Sequence, residues 1–401
     1  MKILYVCPWA HLPSHNPHFI AKESAAFLQA GVDVVLCTFQ GILDNKESTD
    51  IIHKKVTSTW YGYPLGLLSR LLHSSMKLRL IAGFIEQSVT LFLAVKLRKS
   101  QAYDFIFLRE GDPFIFLPIL LGLVHSNYRW VISLIGTKSV RSPRNLYYRF
   151  INAGIWKPIY RRSLSRNRFI FICENDDIKE NFEVNFLDGM LAGLVKVIAP
   201  GIKAPPREIS QREARSHLNL PKDKVFFLHF GALHPGKDIE TVISAIKDVE
   251  NAELVIAGKV YSVDLVSLVQ HYDIQDKCVI RNYYISEADK QYYFAASDAI
   301  ILSYRKSFSQ TASQAWEAVG FKLPVIASGS YDLGQMVRNY KIGLSFSAED
   351  ALSLNNALKT FIGLSQTERQ TFKENCEKLS AEFSMQRWTE KFIEVTKLLY
   401  D

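Results

Sequence analysis

The sequence predicts an α/β protein of two Rossmann-like, doubly wound parallel-sheet domains in series, facing across a cleft. Three observations carry this reading. Apolar, β-rich runs alternate with helical patterns along the whole chain. The runs are continuous rather than alternating, which marks strands covered on both faces. The pattern stops at Pro200–Arg207, with three prolines and a glycine, and then restarts. A length of 401 residues suits two or three domains at roughly 150 residues each.

The elements follow in order. Ile3–Cys7 reads as a strand, His18–Ala30 as a helix closed by Gly31, and Val32–Thr38 as a second strand. Leu78–Arg98 has helical spacing, and Asp104–Leu108, Arg129–Leu134, Phe169–Cys173 and Val195–Ile198 read as strands. After the break, Val225–Phe230, Ala252–Ala257, Val279–Tyr283, Ala299–Ser303 and Val325–Ser328 are strands, with a helix at Asp238–Val249. Met385–Leu399 is an amphipathic helix with Trp388 and Phe392 on one face. The expected domains are 1–204, 205–380 and a terminal helical segment, 381–401, crossing back to the first. In open parallel sheets, ligands sit beyond the carboxyl ends of the strands. The loops after Phe230, Ala257, Tyr283, Ser303 and Ser328 are therefore the places to look.

Composition narrows the class. Apolar residues at 48% and charged residues at 22% are globular values. The five cysteines are scattered, with no CxxC and no Cys/His cluster, so neither a disulfide framework nor a zinc site is expected. Met1 leads straight into a strand, without a secretory pattern. The longest apolar run, Pro113–Val124, stops at His125, short of the ~18 residues of a membrane span. The expectation is a cytoplasmic protein.

The net charge of +8 is local. No acidic residue lies between Asp112 and Glu174, while ten Lys and Arg do, so the remainder of the chain is slightly acidic. Arg129–Arg168 interleaves this charge with Trp130, Tyr147, Tyr148, Phe150, Trp156 and Tyr160, around a helix read over Asn145–Ser165. Such a surface suits anionic lipid headgroups. Arg70–Lys99 adds a second basic stretch. The same chemistry fits nucleic-acid phosphates, or a plain solvated face. Without a helix-turn-helix, zinc finger or RNA-binding aromatic motif, nucleic acid is not expected as a partner.

Two stretches carry chemistry. In Ile301–Ser328 a strand ends near Ser303, a polar loop follows, and a helix runs about Ala312–Val319. Thr311 with Gln314, or Ser307 with Gln310, fits a capping box there. The N–H groups of that helix start face the loop, as an anion site requires. In Val225–Ile239, Gly231 ends the strand, Pro235-Gly236 turns, and Lys237 stands beside a helix start, placed to neutralise a phosphate. The plain alternatives are an ordinary strand–loop–helix unit and a solvated lysine.

Together these stretches resemble the family 4 glycosyltransferases, which have the GT-B fold. Gly231, Leu233 and Lys237 match the family's Gly-Arg-Leu and Lys-Gly stretch. Glu317-Ala318, Gly320 and Pro324-Val325-Ile326-Ala327 match the end of its Glu-x7-Glu region. Phe27–Phe39, Ser330–Asp350 and the last helix resemble further parts. The resemblance implies that Lys237 binds the donor diphosphate and Glu317 the ribose hydroxyls. A carboxylate can accept two hydrogen bonds from a diol. Gly231 belongs to the same donor site, and Tyr283 and Tyr284 are the base-binding candidates. Three positions depart from the pattern. Ala232 stands where the family has arginine, Asp238 where it has glycine, and Ser309 where it has the first glutamate. Arg305, ahead of His234 and Lys306, is the candidate to supply the missing charge, being always ionised. Ser309, Gln310 and Thr311 are candidates for the transferred sugar.

The first domain has HLPSHNPHF (His11–Phe19) after its first strand. His11, His15 and Arg109 are acceptor-side candidates. His18 and Asp112 are the candidate bases, needed if configuration inverts. If it is retained, as the resemblance implies, the donor phosphate takes the acceptor proton. No metal is called for, because lysine, other basic side chains and helix N-termini meet the phosphate charge. The expected activity is transfer of a sugar from a nucleotide diphosphate, UDP favoured over GDP, to a glycan or lipid-linked acceptor. This would serve bacterial-type cell-surface polysaccharide synthesis, with the enzyme peripheral at the inner face of the membrane. A nucleotide-sugar epimerase on the same fold and an inactive membrane-associated binding subunit are the alternatives.

Overall fold

Short, uninterrupted apolar strands build two sheets. The computed structural model describes residues 1–8, 16–38, 41–44, 79–100, 102–109, 127–134, 157–166, 168–185, 193–205, 208–234, 236–261, 263–308, 312–330 and 332–401. The chain divides into two compact units, Met1–Ala199 with Met385–Asp401, and Pro200–Ser384.

The first unit holds β1 (Lys2–Cys7), β2 (Asp33–Thr38), β3 (Gly41–Asp44), β4 (Phe105–Leu108), β5 (Arg129–Leu134), β6 (Arg168–Cys173) and β7 (Val195–Val197). They form one sheet in the order β3-β2-β1-β4-β5-β6-β7. All pairs are parallel except β2 with β3. Its helices are α1 (Asn16–Gln29), α2 (Arg79–Ser100), α3 (Lys157–Leu164) and α4 (Asp176–Asn185). Of the basic helix expected over Asn145–Ser165, residues 145–156 lie outside the described residues.

The second unit repeats the plan. Strands β8 (Val225–Phe230), β9 (Ala252–Ala257), β10 (Cys278–Arg281), β11 (Ala299–Leu302), β12 (Val325–Ser328) and β13 (Gly343–Phe346) pair in parallel in the order β10-β9-β8-β11-β12-β13. The helices are α5 (Gln211–His217), α6 (Ile239–Ile246), α7 (Leu265–His271), α8 (Glu287–Ala296), α9 (Ser313–Gly320), α10 (Leu333–Tyr340), α11 (Ala351–Gly363) and α12 (Gln366–Glu382). A capping box at Ser365 and Glu368 starts α12. The last helix, α13 (Met385–Lys397), belongs to the first unit. Phe392 is fully buried there, its ring 4.8 Å from Phe107 and 5.0 Å from Phe27.

In both sheets the order reverses beside the first strand, at β1/β4 and at β8/β11. Loops leaving such a neighbouring pair diverge and open a crevice. Lys237 follows β8 and Arg305 follows β11, so both stand at the second unit's reversal point.

Three expectations change. The strand read as Val279–Tyr283 ends at Arg281, where the Arg281 carbonyl accepts from both Gly258 N (3.0 Å) and Tyr283 N (3.0 Å). This turn sends Tyr283 and Tyr284 into the following loop. Trp130, read as part of a surface, is fully buried and stacks at 6.5 Å on Phe169. Its place in β5 decides this, since that strand is covered on both faces. Helix α9 starts at neither expected cap, and Gln310 and Thr311 themselves lie outside the described residues. Its N-cap is Ala312, and Gln314 spends its carbonyl oxygen on Tyr304.

Candidate functional site

The loop after β8 is pinned from both sides. Lys237 N donates to the His234 carbonyl (2.9 Å), Asp238 N to the Ser303 carbonyl (3.0 Å), and Arg305 N to the Gly236 carbonyl (3.1 Å). The backbones following β8 and β11 are thereby stitched together. This carries the Lys237 side chain inward, where the residue is only 4% exposed. Its ammonium donates to the Phe230 carbonyl at 2.6 Å. Among the described residues no carboxylate lies within ion-pair distance of it. Burial pushes its pKa down to about 7, with the Glu317 charge working in the opposite direction.

Gly231 explains the space beside that lysine. Its φ is +89°, in the left-handed region where glycine is favoured. A Cβ there would lie 3.1 Å from Gln314 Nε2 and 3.3 Å from Lys237 Nζ. The two nitrogens thus converge over the Gly231 backbone. Tyr304 orients the amide by donating its hydroxyl to Gln314 Oε1 at 2.9 Å. Tyr304 is itself fixed by the Ser328 and Ser330 hydroxyls and by stacking at 4.0 Å on Phe308.

Helix α9 completes the group. Ala315, Trp316, Ala318 and Val319 face the interior. Gln314 and Glu317, three apart, share another face. Among the described residues no side chain caps the first turn of α9, so its N–H groups point to the loop with their positive dipole end. Glu317 is half-buried and pairs through Oε1 with Lys290 Nζ at 3.2 Å. This arrangement can hold two adjoining anionic groups beside a hydroxylated ring.

Other expected residues are placed as follows. Arg305 lies 3.6 Å from Asp238 and 3.4 Å from Glu349, so its charge is shared with two carboxylates. His234 accepts from Gly236 N at 3.1 Å and steadies its own turn. Lys306 lines a cavity of about 470 Å³ with Arg338, Ser330 and Ser345, at the β12 and β13 edge. Tyr283 and Tyr284 are exposed, and the Tyr283 and Tyr293 hydroxyls lie 3.3 Å apart. Ser309, Gln310, Thr311, Asp112, His11 and His15 lie outside the described residues. The backbone of His18 is in the first turn of α1, and its side chain lies outside the described residues.

Arg109 does not reach outward. It is 6% exposed, donates to Ser133, and sits 3.2 Å from Glu23 and 3.8 Å from Glu174. Glu23 also accepts from the Tyr5 hydroxyl at 2.6 Å. Burial, then the Glu23 charge, raises the Tyr5 pKa well above its ordinary value. Arg109 organises the interior of the first sheet, and this geometry argues against contact with an acceptor.

Sequence reasoning missed Gln314 and Lys290 as site residues. The i, i+3 spacing of Gln314 and Glu317 was the one available signal for the first. Nothing in the sequence points from Lys290 to a partner 27 positions on.

Comparison with known proteins bears on the second unit first. Residues 210–379 match the model of the family described as glycosyl transferases group 1. The second unit carries the signature of that family. No match is found among curated proteins. Sucrose-phosphate synthase from Thermosynechococcus elongatus has the same fold, with a TM-score of 0.72 at 18% identity over 100% of this chain and 99% of that one. Anabaena HepE, solved in complex with UDP and glucose, gives 0.68 at 15% identity over 99% of both chains. WaaG, a glycosyltransferase involved in lipopolysaccharide biosynthesis, gives 0.62 at 13% identity over 99% of both. The fold is GT-B.

Proposed function

We propose that this chain is a glycosyltransferase that takes its sugar from a nucleotide diphosphate donor bound in the second unit. The observation that carries the reading is the convergence of Lys237 Nζ and Gln314 Nε2 over Gly231, next to the first turn of α9. These donors meet the charge of two phosphates with N–H groups and one ammonium, so the reading needs no metal ion. Glu317, on the same face of α9, takes the ribose hydroxyls. Tyr283 and Tyr284 offer aromatic faces to the base. Ser309, Gln310 and Thr311 contact the transferred sugar. UDP is favoured as the nucleotide, in keeping with the UDP bound to HepE.

The first unit takes a glycan or lipid-linked acceptor, with His11, His15 and His18 in the segment that meets it. Configuration is retained, and the acceptor proton passes to the leaving phosphate. Asp112 or His18 would serve as a base only if it inverted. The pathway is synthesis of a bacterial-type cell-surface polysaccharide, in keeping with the printed role of WaaG.

The enzyme works as a peripheral protein at the inner face of the membrane. In the first unit Arg161, Arg162, Arg166 and Arg168 are exposed. On α2, Phe92 is 70% exposed, with exposed Lys96 and Lys99 one and two turns on. An apolar residue among cations is the pattern of a surface that rests on anionic headgroups. Among the described residues no helix is long and apolar enough to cross a membrane. Arg129 is not part of this face, being spent on the Leu399 carbonyl (3.3 Å) and the Tyr400 ring.

A screen of UDP- and GDP-linked sugars, with binding and hydrolysis as readouts, tests the donor reading. Failure to bind any of them overturns it. Co-sedimentation with phosphatidylglycerol vesicles at low salt tests the membrane reading. Protein left in the supernatant counts against it.

A further inference from the structure

The donor reading leaves one charged group unused. Lys290, on α8, is only 9% exposed, yet its ammonium lies between two carboxylates. Glu287, one turn earlier on the same helix, is 2.8 Å away, and Glu317, on α9, is 3.2 Å away. Burial works against the ammonium's charge, but Glu317 and Glu287 together outweigh it and hold the pKa above its ordinary value. The cation is therefore a fixed feature of this corner.

The contact falls on one oxygen of Glu317. Oε1 accepts from Lys290, and among the described residues Oε2 has no partner. The Glu317 side chain is 38% exposed, so one edge of the carboxylate stays open. An unrestrained glutamate loses rotamer freedom on being fixed. A carboxylate already held by a buried ammonium has lost most of that freedom before any ligand arrives.

We propose that Lys290 is a positioning residue: it clamps Glu317 from behind, so that the open edge of the carboxylate selects a vicinal diol on the donor nucleotide. The inference rests on the reading of Glu317 as the residue that takes the ribose hydroxyls. Lys290 touches neither the nucleotide nor the reacting atoms. Its effect appears as discrimination between ribo- and deoxyribonucleotides, and in KM for the donor rather than in kcat.

The test compares UDP with 2′-deoxy-UDP by titration calorimetry on the full-length wild type, K290M, K290R and E317Q. Wild type is expected to prefer UDP by about tenfold, the size of one hydrogen bond to a charged group. K290M is expected to bind UDP about tenfold more weakly, to bind 2′-deoxy-UDP within twofold of wild type, and so to lose the preference. K290R, which keeps the cation, is expected to restore it. The K290M/E317Q double variant is expected to be no worse than E317Q alone, because the lysine acts through the glutamate. Should K290M fail to fold, K290Q gives the same comparison, since it removes the charge and keeps a polar N–H donor.

The outcomes separate. A preference for UDP that persists in K290M or K290Q overturns the role of Lys290. A wild type indifferent between the two nucleotides overturns the diol reading of Glu317, and this inference with it. Equal weakening of both nucleotides in K290M would show a merely structural lysine and would also overturn it.

Discussion

Arg109 and Lys237 stand at the strand-order reversals of two similar sheets, Arg109 after β4 and Lys237 after β8. Each follows a strand at the point where the strand order reverses, and each is buried. Their surroundings differ. Arg109 is enclosed by Glu23, Glu174 and Ser133, with Tyr5 satisfying the second Glu23 oxygen. Lys237 has one carbonyl and, among the described residues, no contacting carboxylate, and an amide nitrogen shares the space beside it. The same signature, a cation after a strand, therefore means two things. A cation matched by its own fold is structural. On the proposed reading, a cation left underneutralised in a pocket of N–H donors is the one that meets an anion.

This contrast can be broken by substitution. Arg109→Ala should have the largest effect on stability, lowering it by about 3–5 kcal/mol because Glu23 is left buried and unpaired. Chemical denaturation measures it. The donor affinity of the folded fraction should be unchanged, and an intact melting curve with lost turnover would reverse the assignment. Lys237→Met should do the opposite, leaving the melting temperature near wild type while donor kcat/KM falls about 10²-fold. A loss of stability without loss of turnover would make Lys237 the structural member of the pair.

A pH titration sharpens the comparison. The free Lys237 is half protonated near its pKa of about 7. A bound diphosphate favours the charged form and raises that pKa, so binding takes up a proton above pH 7. Affinity for a UDP-sugar should then fall as pH rises from 7 to 9. Calorimetry in buffers of different ionisation enthalpy should register proton uptake at pH 8. Lys237→Met should abolish the uptake, and Arg109, matched by carboxylates, should contribute none. The smallest effect expected is that of Gln314→Ala, a roughly tenfold loss in donor affinity with kcat little changed. An unchanged Kd would remove the amide from the pocket.

How much was readable beforehand differs along the same lines. Gly231 and Lys237 stand out because they follow one strand in one short loop, and Glu317 because its helix resembles the glycosyltransferase pattern. Arg109, expected on the acceptor side, is enclosed within the first sheet instead. Its partners Glu23, Ser133 and Glu174 lie on three other parts of the chain, and no local pattern announces them. Gln314 was read as half of a capping box. Its carbonyl instead goes to Tyr304, ten residues away across a strand–loop–helix turn. Trp130 looked like part of a basic surface until its strand proved to be covered on both faces.

The sequence by itself determined the α/β class, the restart after Pro200–Arg207 and the strands whose carboxyl ends carry the chemistry. Hydrophobic periodicity and turn residues are local properties, and they suffice for that. The tertiary structure decided which charges are matched. The partner that holds Glu317 sits on another helix, and the groups that enclose Arg109 come from β5, α1 and the turn after β6. Charge neutralisation in a buried site depends on distances of 3–4 Å between distant segments, and only the folded chain sets those.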